Sequence, residues 1–361
     1  MKHSAIVSLL LILIVFLLPL LAGIGNTPID SLQYNESVPK DPSETPAGPA
    51  ADETPTAEAP AMALAARQEP DESLIVNALI NGTVYQLNMH EYLFGVVAAE
   101  MPAEYPAEAL RAQAVAARTY TESKMLQARG PDGPPACHQG ADVCDDYHHC
   151  KAYISREEAC ARWGEDAERN SAVIDAAVSD TDSLAVIYDS QPIVAVFFAI
   201  SWGRTESSKA VWGDDVPYLK GVDSPGEDTA SGFTGHVEMA ASVFKDIMRS
   251  AYPEAKLDGA AGQWFGKPAH SGAGGVLSIP VGGINVPGTR LRELCGLRST
   301  NFTVTVDGDT VLFDTMGYGH GVGLSQYGAK VMAEQGKTFE EILKWYYTGV
   351  EVEEYHPVFA S

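Results

Sequence analysis

The sequence predicts an α+β fold in which helices and antiparallel hairpins form a cleft, set behind an N-terminal transmembrane helix. Three observations predict it: well-punctuated helical stretches between Asn88 and Asp180, three pairs of apolar runs joined by turn residues further on, and an apolar run near the start. Residues 5 to 24 are almost wholly apolar, with Lys2 ahead of them and no acid until Asp30, and about 20 such residues span a bilayer. Residues 1–25 therefore read as an uncleaved signal anchor, with the remainder outside the cytoplasm. A cleaved signal peptide ending near Leu21-Ala22-Gly23 is the competing reading. Residues 26–75 carry ten acids against two bases among many Pro, Ala, Ser and Thr, too little apolar surface to fold, and read as a disordered tether. Residues 76–361 are long enough to bury a core. The whole chain has a net charge of -24, which argues against nucleic acid as a partner.

Within the body, Asn88 followed by Glu91 resembles a capping box, so a helix opens at Met89. Pro102 ends it, because the residue before a proline disfavours helical angles. Pro106 suits the first turn of a second helix over Ala107 to Lys124, with Leu110, Ala114 and Ala117 as its buried stripe. Glu157 to Asp180 suggests one or two more. Leu184 to Tyr188 and Ile193 to Ala199 flank Asp189-Ser190-Gln191-Pro192 as a hairpin. Val276 to Val281 and Ile284 to Val286 flank Gly282-Gly283, and Phe302 to Val306 and Val311 to Asp314 flank Asp307-Gly308-Asp309, giving two further hairpins. A last helix covers Phe339 to Tyr347.

Glu100 falls at the C-terminus of the first helix among Val96, Val97, Ala98, Ala99 and Met101. The helix dipole and apolar neighbours both disfavour its ionised form, and a carboxyl protonated near neutral pH is what a general acid needs. Arg118 lies beside the alanine-rich stripe of the second helix, where burial would demand an acceptor, either substrate or a carboxylate. The plainer alternative makes both residues solvated.

PPACHQGADVCDDYHHCKAY, residues 134–153, gathers three cysteines and three histidines. His138, Cys144, His149 and Cys150 would make a tetrahedral set suited to zinc, and four protein ligands would staple a loop rather than activate water. Cys137 or His148 could replace a member, and a disulfide of Cys144 with Cys150 or Cys137 is the alternative. HEYLF at residues 90–94 lacks the second histidine of a zincin.

Ser201, Arg204 and Thr205 follow an apolar run, as a loop at a sheet end that would present polar groups to substrate. Trp212, Tyr218 and Lys220 mix flat rings and donors suited to sugars, with Tyr218 and Lys220 on one face if extended; edge-of-core aromatics and a solvated lysine are the simpler reading. The glycine-dense MGYGHGVGLSQYGA, residues 316–329, offers His320 and Gln326 as substrate-binding candidates. It fits neither a phosphate-cradling loop nor a nucleophile elbow.

Taken together, VVAAEMP, LRAQAVAARTY, DVCDD with HCKAY, FFAISWGRTE, VWGDDVPYLKGV, LRSTNF and GYGHGVGLSQYGA closely resemble the stage II sporulation protein D family, in the expected order across the body. The resemblance implies a membrane enzyme, on the outer face and the mother-cell side of the engulfing septum, that cuts peptidoglycan glycan strands during forespore engulfment. It implies lytic transglycosylation of glycan already stripped by a partner amidase, stage II sporulation protein P, with stage II sporulation protein M completing the complex. It makes Glu100 of A-E-M-P the catalytic acid and brings in Arg118, Tyr218 and Lys220 beside it. The clostridial members further imply zinc at His138, Cys144, His149 and Cys150. Trp202 departs from the smaller residue that relatives commonly carry there. Two rivals follow: a non-catalytic enhancer of a cell-wall amidase, which the same domain also resembles, and a zinc-dependent amidase or peptidase, which would need an open coordination position.

Overall fold

A computed structural model describes residues 70–147 and 149–359. The expected anchor and nearly all of the expected tether lie outside these residues, and no described helix is long and apolar enough to cross a membrane. The described residues include one helical turn, α1 (Pro70–Ser73), that the composition places in the tether, and the expected boundary at residue 75 falls at the start of strand β1 (Ile75–Ile80). β1 pairs antiparallel with β2 (Thr83–Asn88) through a turn in which Asn81 and Gly82 both take positive φ.

Helix α2 (Met89–Glu100) starts and stops where its punctuation requires: the Asn88 side chain accepts the Glu91 N–H, and Met101 leaves the helix in extended geometry ahead of Pro102. Helix α3 (Ala107–Ala128) runs four residues beyond Lys124 and is the central element of the main core, with Ala109, Ala112, Ala114 and Ala116 fully buried. Strand β3 (Val143–Cys144) lies parallel to β1, and helices α4 (Arg156–Trp163), opened by a Ser155–Glu158 capping box, and α5 (Ala167–Ser179) cover α2 and α3. Gly95 has a packing reason within α2. A Cβ there would sit 2.3 Å from the Tyr153 ring and 2.5 Å from the Ile154 carbonyl oxygen, so only glycine lets the 150–154 segment lie against this helix.

Strand β4 (Leu184–Tyr188) turns through Asp189 and Ser190, both at positive φ, into a strand of only two residues, β5 (Gln191–Pro192). The run expected to continue to Ala199 instead leaves the hairpin and re-forms as β6 (Phe197–Phe198). Short elements follow: β7 (Gly203–Arg204), helix α6 (Ser208–Trp212) and β8 (Asp223–Ser224).

Residues 234–316 then build a second core of their own. Strand β9 (Thr234–Ala240), helix α7 (Ala241–Ala251), strands β10 (Ala269–His270), β11 (Val276–Val281) and β12 (Ile284–Pro287), helix α8 (Gly288–Cys295) and the hairpin β13 (Phe302–Asp307) and β14 (Thr310–Met316) surround Phe244, Trp264, Leu291 and Phe313. β14 pairs with β9 from Thr310↔Ala240 to Met316↔Thr234, and Gly317 N–H donates to the Phe233 carbonyl, so the lobe leaves and rejoins the main body at one place. The chain returns through β15 (Leu324–Ser325), parallel to β6, then helices α9 (Gln326–Glu334) and α10 (Phe339–Tyr346), and closes with β16 (Glu351–Glu354) on β4. Helices with small, mostly antiparallel sheets thus match the expected mixture.

Candidate active site

Glu100 ends α2, α9 brings an amide to it, and α3 sets a second amide behind the first. Gln326, the first residue of α9 and 6% exposed, donates from Nε2 to Glu100 Oε2 at 3.1 Å. The same nitrogen lies 3.5 Å from Oε1 of the fully buried Gln113 on α3. The Ala152 backbone N–H also faces the carboxyl and favours its ionised form. The residue keeps partial solvent contact, yet burial outweighs these donors and the nearby Lys151 charge, pushing the carboxyl above the usual carboxylate range. Glu100 and Gln326 are brought together from opposite ends of the body.

Lys151 is the side chain that sequence reasoning passed over. It is buried, with its ammonium 3.5 Å from the Phe197 ring centre and 4.5 Å from that of Tyr120, and burial draws it down to about 8 against the pull of Glu100. The available signal was a lysine directly after the cysteine and histidine cluster. His320 stands in the same surroundings, pushed down to about 3 by burial and then by Lys151. Its Nδ1 accepts the Val322 N–H at 3.1 Å and its Nε2 faces the Phe197 carbonyl at 3.1 Å, so the neutral ring holds the glycine-rich loop in shape with both nitrogens engaged. Trp212, 48% exposed, lies 5.3 Å ring to ring from His320.

The remaining expected site residues are placed elsewhere. Arg118 is fully buried and committed to Asp71 of α1: Nε donates to Asp71 Oδ2 at 2.9 Å, and the other nitrogens reach Thr181, Val178 O and Leu184 O. The acceptor demanded by burial is thus a carboxylate, and a guanidinium without exposed surface does not touch a glycan. Tyr218 sits in a turn instead of an extended run, its hydroxyl accepting the Val194 N–H at 3.2 Å. Lys220 pairs with Asp215 at 2.5 Å, largely in solvent. No hydrogen bond or ion pair among the described residues joins Arg118, Tyr218 or Lys220 to Glu100.

Ser201 and Thr205 are fully buried. The Ser201 N–H donates to Glu227 at 2.7 Å, and the Thr205 hydroxyl exchanges hydrogen bonds with the Val222 backbone. Arg204 is exposed and paired with Asp223. These residues shape the loop. A cavity of about 110 Å³ by Glu206, Val211, Thr289 and Thr300 lies next to it, but Glu100 does not line that cavity.

The cysteine and histidine cluster converges. Donor atoms of His138, Cys144, His149 and Cys150 all lie within 4.8 Å of one another. His138 Nε2 is 3.3 Å from Cys150 Sγ, and His149 Nδ1 is 3.5 Å from Cys150 Sγ and 3.6 Å from Cys144 Sγ. Metal bonds of about 2.0 to 2.3 Å around a tetrahedral ion require donors about 3.3 to 3.8 Å apart; the three sulfur–nitrogen distances match this range, His138 Nε2 and His149 Nδ1 at 2.9 Å would have to part slightly, and with that adjustment the residues fit such an ion. His138 Nδ1 faces the Ala141 carbonyl at 3.2 Å, which as a donor would leave Nε2 as the ligand atom. All five cysteines are free thiols, so the alternative disulfide is not formed.

A family model described as stage II sporulation protein matches residues 81–188. Stage II sporulation protein D of Bacillus subtilis (strain 168) is 36% identical over 285 residues, 78% of this chain and 79% of that protein. Its namesake from Bacillus amyloliquefaciens is 35% identical over 80% of each chain. An amidase enhancer of Bacillus subtilis (strain 168) is 28% identical over 73% of this chain and 40% of the relative.

Proposed function

Since the chain belongs to the stage II sporulation protein D family, we propose that it is a lytic transglycosylase acting on peptide-stripped peptidoglycan glycan during forespore engulfment, with Glu100 as its acid and then its base. The observation that carries this reading is a single carboxyl, raised by burial, whose hydrogen bonds and neighbouring charge come from Gln326, Ala152 and Lys151, with no second carboxylate among them. Hydrolytic glycosidases generally need two carboxyl groups, the second to activate water or attack the sugar. Intramolecular attack by the muramoyl C6 hydroxyl dispenses with it. Glu100 protonates the oxygen between N-acetylmuramic acid and N-acetylglucosamine as that bond breaks. Its carboxylate, steadied by Gln326, Ala152 N–H and Lys151, then takes the C6 hydroxyl proton as the 1,6-anhydro ring closes. The exposed Trp212 ring is a platform for a neighbouring sugar.

In this reading the body acts at the cell envelope on the mother-cell side, anchored through residues 1–25 and working with stage II sporulation proteins P and M. Zinc at His138, Cys144, His149 and Cys150 is its structural ion, because four protein donors leave no position for water. Bound there, zinc would fix the segment that carries Lys151 and Ala152 to Glu100. Purified protein is expected to hold about one zinc per chain by elemental analysis. Cys144→Ser should lose it and lower the melting temperature by about 3 to 8 °C, the shift that a few kcal/mol gives a body of this length.

The similarity to an amidase enhancer supports a second reading, in which the body binds glycan and activates a partner without cutting. Mass spectrometry of peptide-free glycan incubated with the purified protein separates them. New 1,6-anhydromuramoyl ends are expected; their absence, with glycan binding and amidase stimulation intact, would leave the enhancer.

A further inference from the structure

We infer that Gln326 and Gln113 form a positioning pair that gives the two oxygens of the Glu100 carboxyl different tasks: Oε2 is held as an acceptor, and Oε1 carries the proton to and from the glycan. The inference rests on the reading of Glu100 as the general acid. Gln326 Nε2 donates to Oε2 at 3.1 Å and has Gln113 Oε1 behind it at 3.5 Å. Turning the Gln326 amide over by itself would set its oxygen against both a carboxyl oxygen and the Gln113 oxygen, so Gln113 in this orientation keeps the Gln326 nitrogen toward the acid. The backbone of Gln326 is fixed too. Ser325, the cap of α9, accepts the Gly328 N–H and donates its own hydroxyl proton to the buried Glu227 at 2.6 Å.

The other end of Gln113 supplies the second observation. Its Nε2 is buried and has no hydrogen-bond partner among the described residues. Buried donors are nearly always paired, and one left alone destabilises the fold. Methionine would fill the same space without that penalty. What the amide contributes is the oxygen aimed at Gln326.

With Oε2 occupied, the Oε1–H bond is the one that breaks as the glycosidic oxygen takes its proton and the bond to C1 opens. Oε1 then accepts the proton of the C6 hydroxyl as the C6 oxygen bonds to C1, which restores the acid. Around this carboxyl, Lys151 is the charged group that acts on it, and His320, which feels Lys151, stays neutral.

Gln326→Met and Gln113→Met in the full chain test the pair. Gln326→Met is expected to lower kcat on peptide-free glycan on the order of 10²-fold, the penalty of a misplaced catalytic group, with KM nearly unchanged. Losing a donor to the carboxylate raises the Glu100 pKa, so the alkaline limb of the kcat profile moves to higher pH. Gln113→Met should slow turnover while raising the melting temperature, which a purely structural residue would not do; it also serves if Gln326→Met folds poorly. Carbon-13 NMR of labelled glutamate follows the Glu100 titration without turnover. A wild type that makes no anhydro ends, with the titration still displaced upward in Gln326→Met, sinks the transglycosylase reading and keeps the pair. An active wild type whose kcat, pH limb and titration are unmoved in Gln326→Met, or a Gln113→Met that loses stability and rate together, overturns the pair.

Discussion

Glu100→Gln is expected to reduce formation of 1,6-anhydro ends by about 10²- to 10⁴-fold while the protein stays folded, because the amide has neither a proton to give nor a lone carboxylate to receive one. The replacement keeps the shape, and the amide oxygen can still accept from Gln326 and Ala152. Stability gives an independent check with a definite sign. Burial raises the folded pKa of Glu100 above its unfolded value, so between those values the folded chain holds more protons and wild-type stability falls as pH rises. Glu100→Gln removes that slope, so its melting temperature relative to wild type should climb from pH 5 to pH 8. Thermal melts at the two pH values, beside product mass spectrometry, provide the measurement. A variant that still shortens glycan at the parent rate would remove Glu100 from the chemistry.

The second large effect is on folding. Arg118→Ala is expected to cost about 3–5 kcal/mol, since removing one partner of a buried ion pair strands the other. Asp71 would lose its guanidinium, and Glu122, already raised to about 8 by burial with Arg118 as its opposing charge, would lose that charge as well. For a body of this length the melting temperature should fall by about 5 to 8 °C. Asp71→Ala should do similar damage from a residue outside the recognised motifs. The rate per folded molecule, read beside circular dichroism, should stay close to the parent in both. A well-folded Arg118 variant without activity would return this residue to the catalytic list.

These expectations show where sequence reasoning reached and where it stopped. The ends of α2 are set by Asn88, Glu91 and Pro102, all within a few residues of the boundary, so local chemistry decides them. The turns at Asp189-Ser190, Gly282-Gly283 and Gly308-Asp309 are local in the same sense. The four metal-ligand candidates were legible because a short loop cannot spread its donors far. Arg118 is expected from sequence to be partly buried with substrate or a carboxylate as its acceptor; it is fully buried, and its partner lies 47 residues upstream, in a stretch whose composition suggested a tether. Gln326 was picked out by its motif, whereas its contact with Glu100 spans 226 residues and only the fold reveals it. Tyr218 and Lys220 depended on an extended backbone that the turn at Pro217–Tyr218 does not supply.

The lobe of residues 234–316 has a consequence for how such proteins can diverge. Its two ends meet in the hydrogen bond from Gly317 to Phe233, and its apolar interior is separate from that around α3. A unit whose chain ends adjoin can be enlarged, trimmed or exchanged during descent without rethreading the part that carries Glu100, so long as its seam with Trp202 and Glu206 is kept, much as inserted domains are tolerated where entry and exit adjoin.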